Sequence, residues 1–195
     1  MRKTILYIDG ENLRHYIEGA LKQKGISAKK AKILNVNLKD LFDKVLKGVH
    51  LSRKVYYASR LRFHKDFPKK SNSLIQEQRV LKSKLEKDRF QFLISGNVRG
   101  QKVKVNGKTK IVFREKGVDV KMAVDIVVAA CDKKVQRVVL CSSDSDLQPA
   151  VKEARERGVE VIYLGFETNP NKGLIYTTNR TILIRDSEVL ESSSK

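Results

Sequence analysis

Cysteine and histidine are scarce in this chain. Cys131 and Cys141 are the only two cysteines in 195 residues, and both sit inside apolar stretches. That excludes a disulfide framework and reads them as small core residues of a reducing compartment. His15, His50 and His64 are far apart and lack a Cys or His partner at zinc spacing, so zinc is excluded and aspartate is left as the abundant candidate ligand. Long apolar runs are missing as well. No segment approaches about 18 continuous apolar residues, and one short basic step leads straight into Ile5-Leu6-Tyr7-Ile8. The expectation is a soluble, cytoplasmic protein with no membrane partner. Negative charge is the third shortage: 22 Asp plus Glu face 41 Lys plus Arg, a formal charge of +19. Such an excess exceeds what solubility requires and points to a polyanion, with part of it simply solvated. Its phosphate contacts would give affinity and salt dependence without sequence specificity.

What is present suits one α/β domain over residues 1–190, because 41% hydrophobic content at this length builds a single sizeable core. Thr4 to Ile8, stopped by Asp9-Gly10, reads as a central strand buried on both faces. From Asn12, the positions Leu13, Tyr16, Ile17, Ala20 and Leu21 recur at helical spacing, with Gly25 as the stop. Asn37 caps a second amphipathic helix, and Leu51 to Ala58 supplies the next strand. Ser71 to Asp88 reads as an exposed helix leading into the strand Phe90 to Ser95. Around Asn106-Gly107, Lys102, Lys104, Lys108 and Lys110 alternate with Val103, Val105 and Ile111, which predicts a basic β-hairpin inserted at about 97–116. Val118 to Ala130 (helix), Arg137 to Cys141 (strand), Leu147 to Arg157 (helix), Val159 to Leu164 (strand) and a weaker Thr181 to Ile184 follow. Residues 191–195 read as a disordered tail. The alternation predicts a central parallel sheet with helices on both faces and ligands at the carboxyl ends of its strands.

Acidic residues punctuate three places where strands end or helices begin: Asp9, Asp119, and Asp144 with Asp146. Each alone is also a good turn or cap residue; their coincidence at one sheet edge points to function. Crowded carboxylates repel one another, and hard oxygen ligands suit Mg²⁺ or Mn²⁺, which bind through a few carboxylates plus substrate phosphate. Such an ion polarises a phosphodiester and generates hydroxide from bound water. Asp125 lies six residues beyond Asp119, roughly 240° around a helix, so it is placed in a supporting role, with an ion pair to Lys121 as the alternative. Asn12 either orients Asp9, binds a metal-held water or caps the first helix. Ser142 and Ser143 can donate hydrogen bonds to the aspartates; with no histidine beside them, a serine triad is rejected.

At these residues the chain resembles the NYN family of PIN-like nucleases, in particular its LabA-like branch. The motifs are Tyr7-Ile8-Asp9-Gly10-Glu11-Asn12-Leu13, then Lys116-Gly117-Val118-Asp119-Val120 with Ala123-Val124-Asp125, and finally Ser142-Ser143-Asp144-Ser145-Asp146-Leu147. The resemblance spans nearly the whole chain and implies a PIN-like Rossmannoid sheet. It also implies a metal-dependent endoribonuclease pocket, with Asp9, Asp119, Asp144 and Asp146 on the family's acidic positions and Asp125 on a further one. Ser143 stands where related sequences often carry glycine, and Arg99 to Lys116 matches no part of the family pattern. RNA in preference to DNA follows from the resemblance alone.

Arg60, Arg62, Lys65, Lys69 and Lys70, with His64, surround Phe63 and Phe67, cations suited to a nucleic-acid backbone. The rings themselves are expected to pack inward, with base stacking as the alternative. Together with Lys102, Lys104, Lys108 and Lys110, these cations would line a channel towards the aspartates. Two other classes compete: a non-catalytic nucleic-acid-binding module with a relic acidic pocket, and a metal-dependent phosphatase acting on a small molecule. The intact aspartates favour the nuclease over the relic, and the basic excess disfavours the phosphatase.

Overall fold

The computed structural model describes residues 3–105, 108–133 and 135–193. In chain order the elements are β1 (Lys3–Asp9), α1 (Gly10–Gln23), α2 (Leu38–Val45), β2 (Arg53–Arg60), α3 (Pro68–Lys87), β3 (Gln91–Val105) and β4 (Lys108–Lys116). There follow α4 (Val118–Cys131), β5 (Val135–Cys141), α5 (Gln148–Glu156), β6 (Glu160–Phe166), α6 (Lys172–Thr177), β7 (Arg180–Ile184) and α7 (Asp186–Glu191). They form one sheet of order β4-β3-β2-β1-β5-β6-β7, parallel throughout except for the antiparallel edge strand β4. β1 therefore lies in the middle, as its run of apolar residues predicts.

Alternate residues of a strand point to opposite faces, and β1 feeds a separate core on each. Leu6 and Ile8 join Leu13 and Ile17 of α1, Phe42 of α2 and Val189 of α7. Ile5 and Tyr7 join Met122 and Ile126 of α4 and Val151 of α5. Each such fully buried side chain stabilises the fold by roughly 1.5–3 kcal/mol relative to exposure. With both faces covered, the open positions are the strand ends.

The basic ribbon is continuous with the sheet. β3 runs on through Gly96 into the ribbon, and β4 pairs back along it from Asn97↔Lys116 to Val105↔Lys108. Gly96 has a φ of +70°, and a side chain there would meet the Lys116 carbonyl oxygen at 2.4 Å. Gly117, at a φ of +94°, lies against it and starts α4. This glycine pair lets the chain leave the ribbon and enter α4 without a longer connection. The turn residues Asn106 and Gly107 lie outside the described residues.

The end of the chain corrects the expectation of a disordered tail. Glu191 closes α7, the Ser192 carbonyl accepts the Asn37 amide at 2.8 Å, and Ser193 bridges Val36. Buried Val189 anchors this segment, and its backbone groups are paired, so it packs; Ser194 and Lys195 lie outside the described residues. α6 and α7 were not anticipated, each being too short to display a helical period. Among the described residues no helix is long and apolar enough to cross a membrane.

Candidate active site

β1 ends on Asp9, which is 3% exposed and caps α1. One carboxylate oxygen accepts the amides of Glu11 and Asn12 at 3.1 and 3.0 Å. The other accepts the side-chain amide of Asn12 and, at 3.0 Å, the hydroxyl of Ser142 from the residue after β5. The sequence permits this because Gly10 opens the helix: a Cβ there would meet the Tyr56 ring and the Tyr57 carbonyl at 2.4 Å. Asn12 thus orients Asp9, while the cap is Asp9 itself.

Ser142 carries the geometry to the next aspartate. Its fully buried oxygen also accepts the Asp144 amide at 3.1 Å, and Asp144 in turn accepts the Asp146 amide at 2.9 Å. Asp119 stands in the first turn of α4, just after Gly117. Burial and then the charges of Asp144 and Asp146 push its carboxyl above the usual carboxylate range. Asp9 is also raised, first by burial; the bonds from Asn12 and Ser142 oppose the shift, and the charge of Asp119 adds to it. Asp9, Asp119, Asp144 and Asp146 are therefore in electrostatic reach at the carboxyl edge of the central strands. Asp146 is exposed, Asp119 and Asp144 are half-buried, and among the described residues no three side chains form a ready-made ligand cluster.

The remaining sequence candidates separate. Asp125 faces β2, where one oxygen accepts the Tyr57 hydroxyl at 2.7 Å and the other takes the Lys121 ammonium. The Ser143 hydroxyl is buried and, among the described residues, has no hydrogen-bond partner, while its carbonyl accepts Asn171 at 2.9 Å. Of the two serines, Ser142 is the one that holds Asp9. The sequence motif contains both, and only their alternation on leaving β5 distinguishes them.

Arg60, Arg62, Lys65, Lys69 and Lys70 are exposed along the end of β2, the following loop and the first turn of α3. Arg62 also donates to Asn97 at 3.1 Å. Phe63 is 55% and Phe67 40% exposed, correcting the expectation that both rings pack inward. The loop that carries them runs outside both cores, and the first turn of α3 beyond it buries only Ser71. Lys102, Lys104, Lys108 and Lys110 belong to the β3–β4 ladder, but their side chains lie outside the described residues.

Oxygen-only donors, two of which (Asp9 and Asp119) are hard to ionise where they stand, are chemically suited to a hard divalent cation, whose charge would relieve their repulsion. Aspartates at the carboxyl edge of a helix-flanked parallel sheet define a PIN-like Rossmannoid domain. Within that class the NYN domain model matches residues 3–185, and the chain belongs to this family. Its members are generally nucleases acting on nucleic acids. A solved structure of a protein of unknown function from Vibrio parahaemolyticus has the same fold, with a TM-score of 0.56 at 17% identity, covering 94% of this chain and 93% of that one. No curated protein matches the chain.

Proposed function

We propose that this chain is a metal-dependent endoribonuclease of the LabA-like branch. The observation that carries the proposal is the convergence of Asp9, Asp119 and Asp144: separate segments bring acidic groups together, at a cost to the ionisation of Asp9 and Asp119. Asp9, Asp119, Asp144 and Asp146 would hold Mg²⁺ or Mn²⁺. When bound, such an ion polarises a scissile phosphate and lowers the pKa of water beside it. Asn12 and Ser142 fix one oxygen of Asp9, and the backbone amides of α1 fix the other, so the carboxylate is positioned before substrate arrives. Arg60, Arg62, Lys65, Lys69 and Lys70 are the cations for the RNA backbone. The unpaired cysteines Cys131 and Cys141 accord with a cytoplasmic setting.

The test is incubation of labelled single-stranded and structured RNA with Mg²⁺, Mn²⁺ or EDTA, alongside Asp144→Asn. Cleavage that requires both metal and Asp144 is the expected result. Binding without cleavage on every substrate would instead support a non-catalytic RNA-binding module, a reading favoured by the lack of three converging ligands among the described residues.

A further inference from the structure

On the α1 face of the sheet a cavity of about 530 Å³ opens between α1 and α3, large enough for a small organic ligand. It borders the α1-side core, sharing Ile33, Tyr56 and Leu81 with it, and includes none of the four motif aspartates. Its floor is aromatic and flat: Tyr56 of β2 and Phe92 of β3 stack at 5.2 Å and 18°, and the small side chain of Ala58 leaves room above the sheet. Leu74 and Gln78 of α3 form one wall, and Glu18 of α1 stands on the other. Gln78 is fixed by donating to the Ser59 carbonyl at 2.9 Å. The cavity thus offers apolar faces and a few placed polar groups.

Two features indicate its occupant. Phe63 lines the cavity yet leaves over half its surface in solvent, so folding gains little from the ring; Arg62 and Lys70 line the cavity beside it. A planar ring flanked by cations matches a base attached to a phosphate. The cavity also reaches Gly10 and Glu11, the two residues that follow Asp9. A strand whose base entered here would have its backbone beside the acidic edge.

We propose that this cavity receives one nucleobase of the bound RNA strand and sets a base preference next to the cleaved bond. The placement of that bond rests on the nuclease reading; the pocket itself does not. Leu74→Trp pushes a bulkier ring into the cavity from the α3 wall and narrows it. Phe63→Ala removes an exposed ring that no core depends on, so one variant survives if the other misfolds.

The four nucleoside 5′-monophosphates, and short single-stranded RNAs differing at one base, are titrated in EDTA against wild type and both variants. EDTA separates binding from any metal-dependent chemistry. The expected result is preference for one base in both ligand sets, reduced at least about fivefold by each variant, the lower end of what losing one stacking ring removes. Equal binding of all four bases, or a preference that both variants retain, overturns the proposal. Preference among mononucleotides that disappears in the variants, with RNA binding unchanged, assigns the cavity to a free nucleotide and also overturns it. If cavity-dependent RNA preference is found but the protein cleaves nothing, the nuclease reading falls while the pocket stands; metal-dependent cleavage with no such preference leaves the reverse.

Discussion

Ser142 donates its hydroxyl to Asp9 across 3.0 Å, joining the ends of two neighbouring strands at the middle of the sheet. The same oxygen accepts the Asp144 amide at 3.1 Å, so one buried atom positions two of the candidate aspartates. Ser142→Ala removes a bond that favours ionised Asp9 and leaves the Asp144 amide without its acceptor. The expected cost is about 1–3 kcal/mol in stability. The acid limb of the pH–rate profile should move to higher pH, because Asp9 then holds its proton more tightly. Thermal melts and rate profiles check both; a lower melting temperature with an unmoved acid limb would reduce Ser142 to a structural role.

Asp119 carries the opposite balance. Its carboxyl and that of Asp9 are raised by burial and by neighbouring charge, so ionisation is harder in the folded chain than in the unfolded one. The associated stability is present below the ordinary carboxylate range and is lost as pH rises through the raised values. At neutral pH in EDTA, Asp119→Asn should therefore stabilise the protein. Asp119 is only half-buried, which limits the gain to about 1 kcal/mol and the rise in Tm to roughly 2–4 °C. Mg²⁺ should raise the melting temperature of wild type but not of the variant, whose activity should be lost. A variant less stable than wild type in EDTA would contradict the repulsion argument.

The sheet was legible in the sequence because its strands are short, apolar and punctuated. Asp9-Gly10 ends β1 where the run stops, and Asn37 caps α2 as read, accepting the Asp40 amide at 3.1 Å. The candidate aspartates were legible because each follows such a boundary. What could not be read depends on distant contacts. Residue type does not say which of Ser142 and Ser143 turns towards β1, since that depends on where β5 ends, and nothing local to Phe63 says that no core lies beneath it. Asp125 shares a motif with Asp119, and its ion pair with Lys121 was legible from the spacing, but its other partner, Tyr57, is 68 residues away. The cavity between α1 and α3 has no sequence signature at all, since its walls come from α1, β2, α3, β3 and the segments 32–34 and 61–64.

Two glycines of α1 should respond oppositely to alanine. At Gly10 the added Cβ would meet the Tyr56 ring and the Tyr57 carbonyl at 2.4 Å, so helix and strand must separate and carry Asp9 with them. Overpacking of this kind costs about 1–3 kcal/mol, and activity should fall with it. At Gly19 the Cβ meets nothing within 4 Å, and Gly19→Ala should stabilise the helix by roughly 0.5–1 kcal/mol with activity unchanged. Urea unfolding of both variants measures the contrast. Equal midpoints would refute the close approach at Gly10.

Tyr7 should make the fold sensitive to alkali. Burial, and then the charge of Asp125, push its phenol up to about 12 from the ordinary 10.0, with Arg53 pulling the other way. Because the folded value is the higher one, its contribution to stability is complete below pH 10.0 and declines as pH rises to about 12. Tyr7→Phe removes this titration and costs little else, since the hydroxyl's bond to the Asp125 carbonyl is long at 3.5 Å. Lysine deprotonation and the other tyrosines affect both proteins alike and cancel in the comparison. The unfolding free energy of wild type should therefore fall more steeply than that of Tyr7→Phe across this window, by up to about 1.4 kcal/mol per pH unit. Urea midpoints measured from pH 9 upwards decide it, and parallel curves would mean that Tyr7 titrates in the folded protein as it does in the unfolded chain.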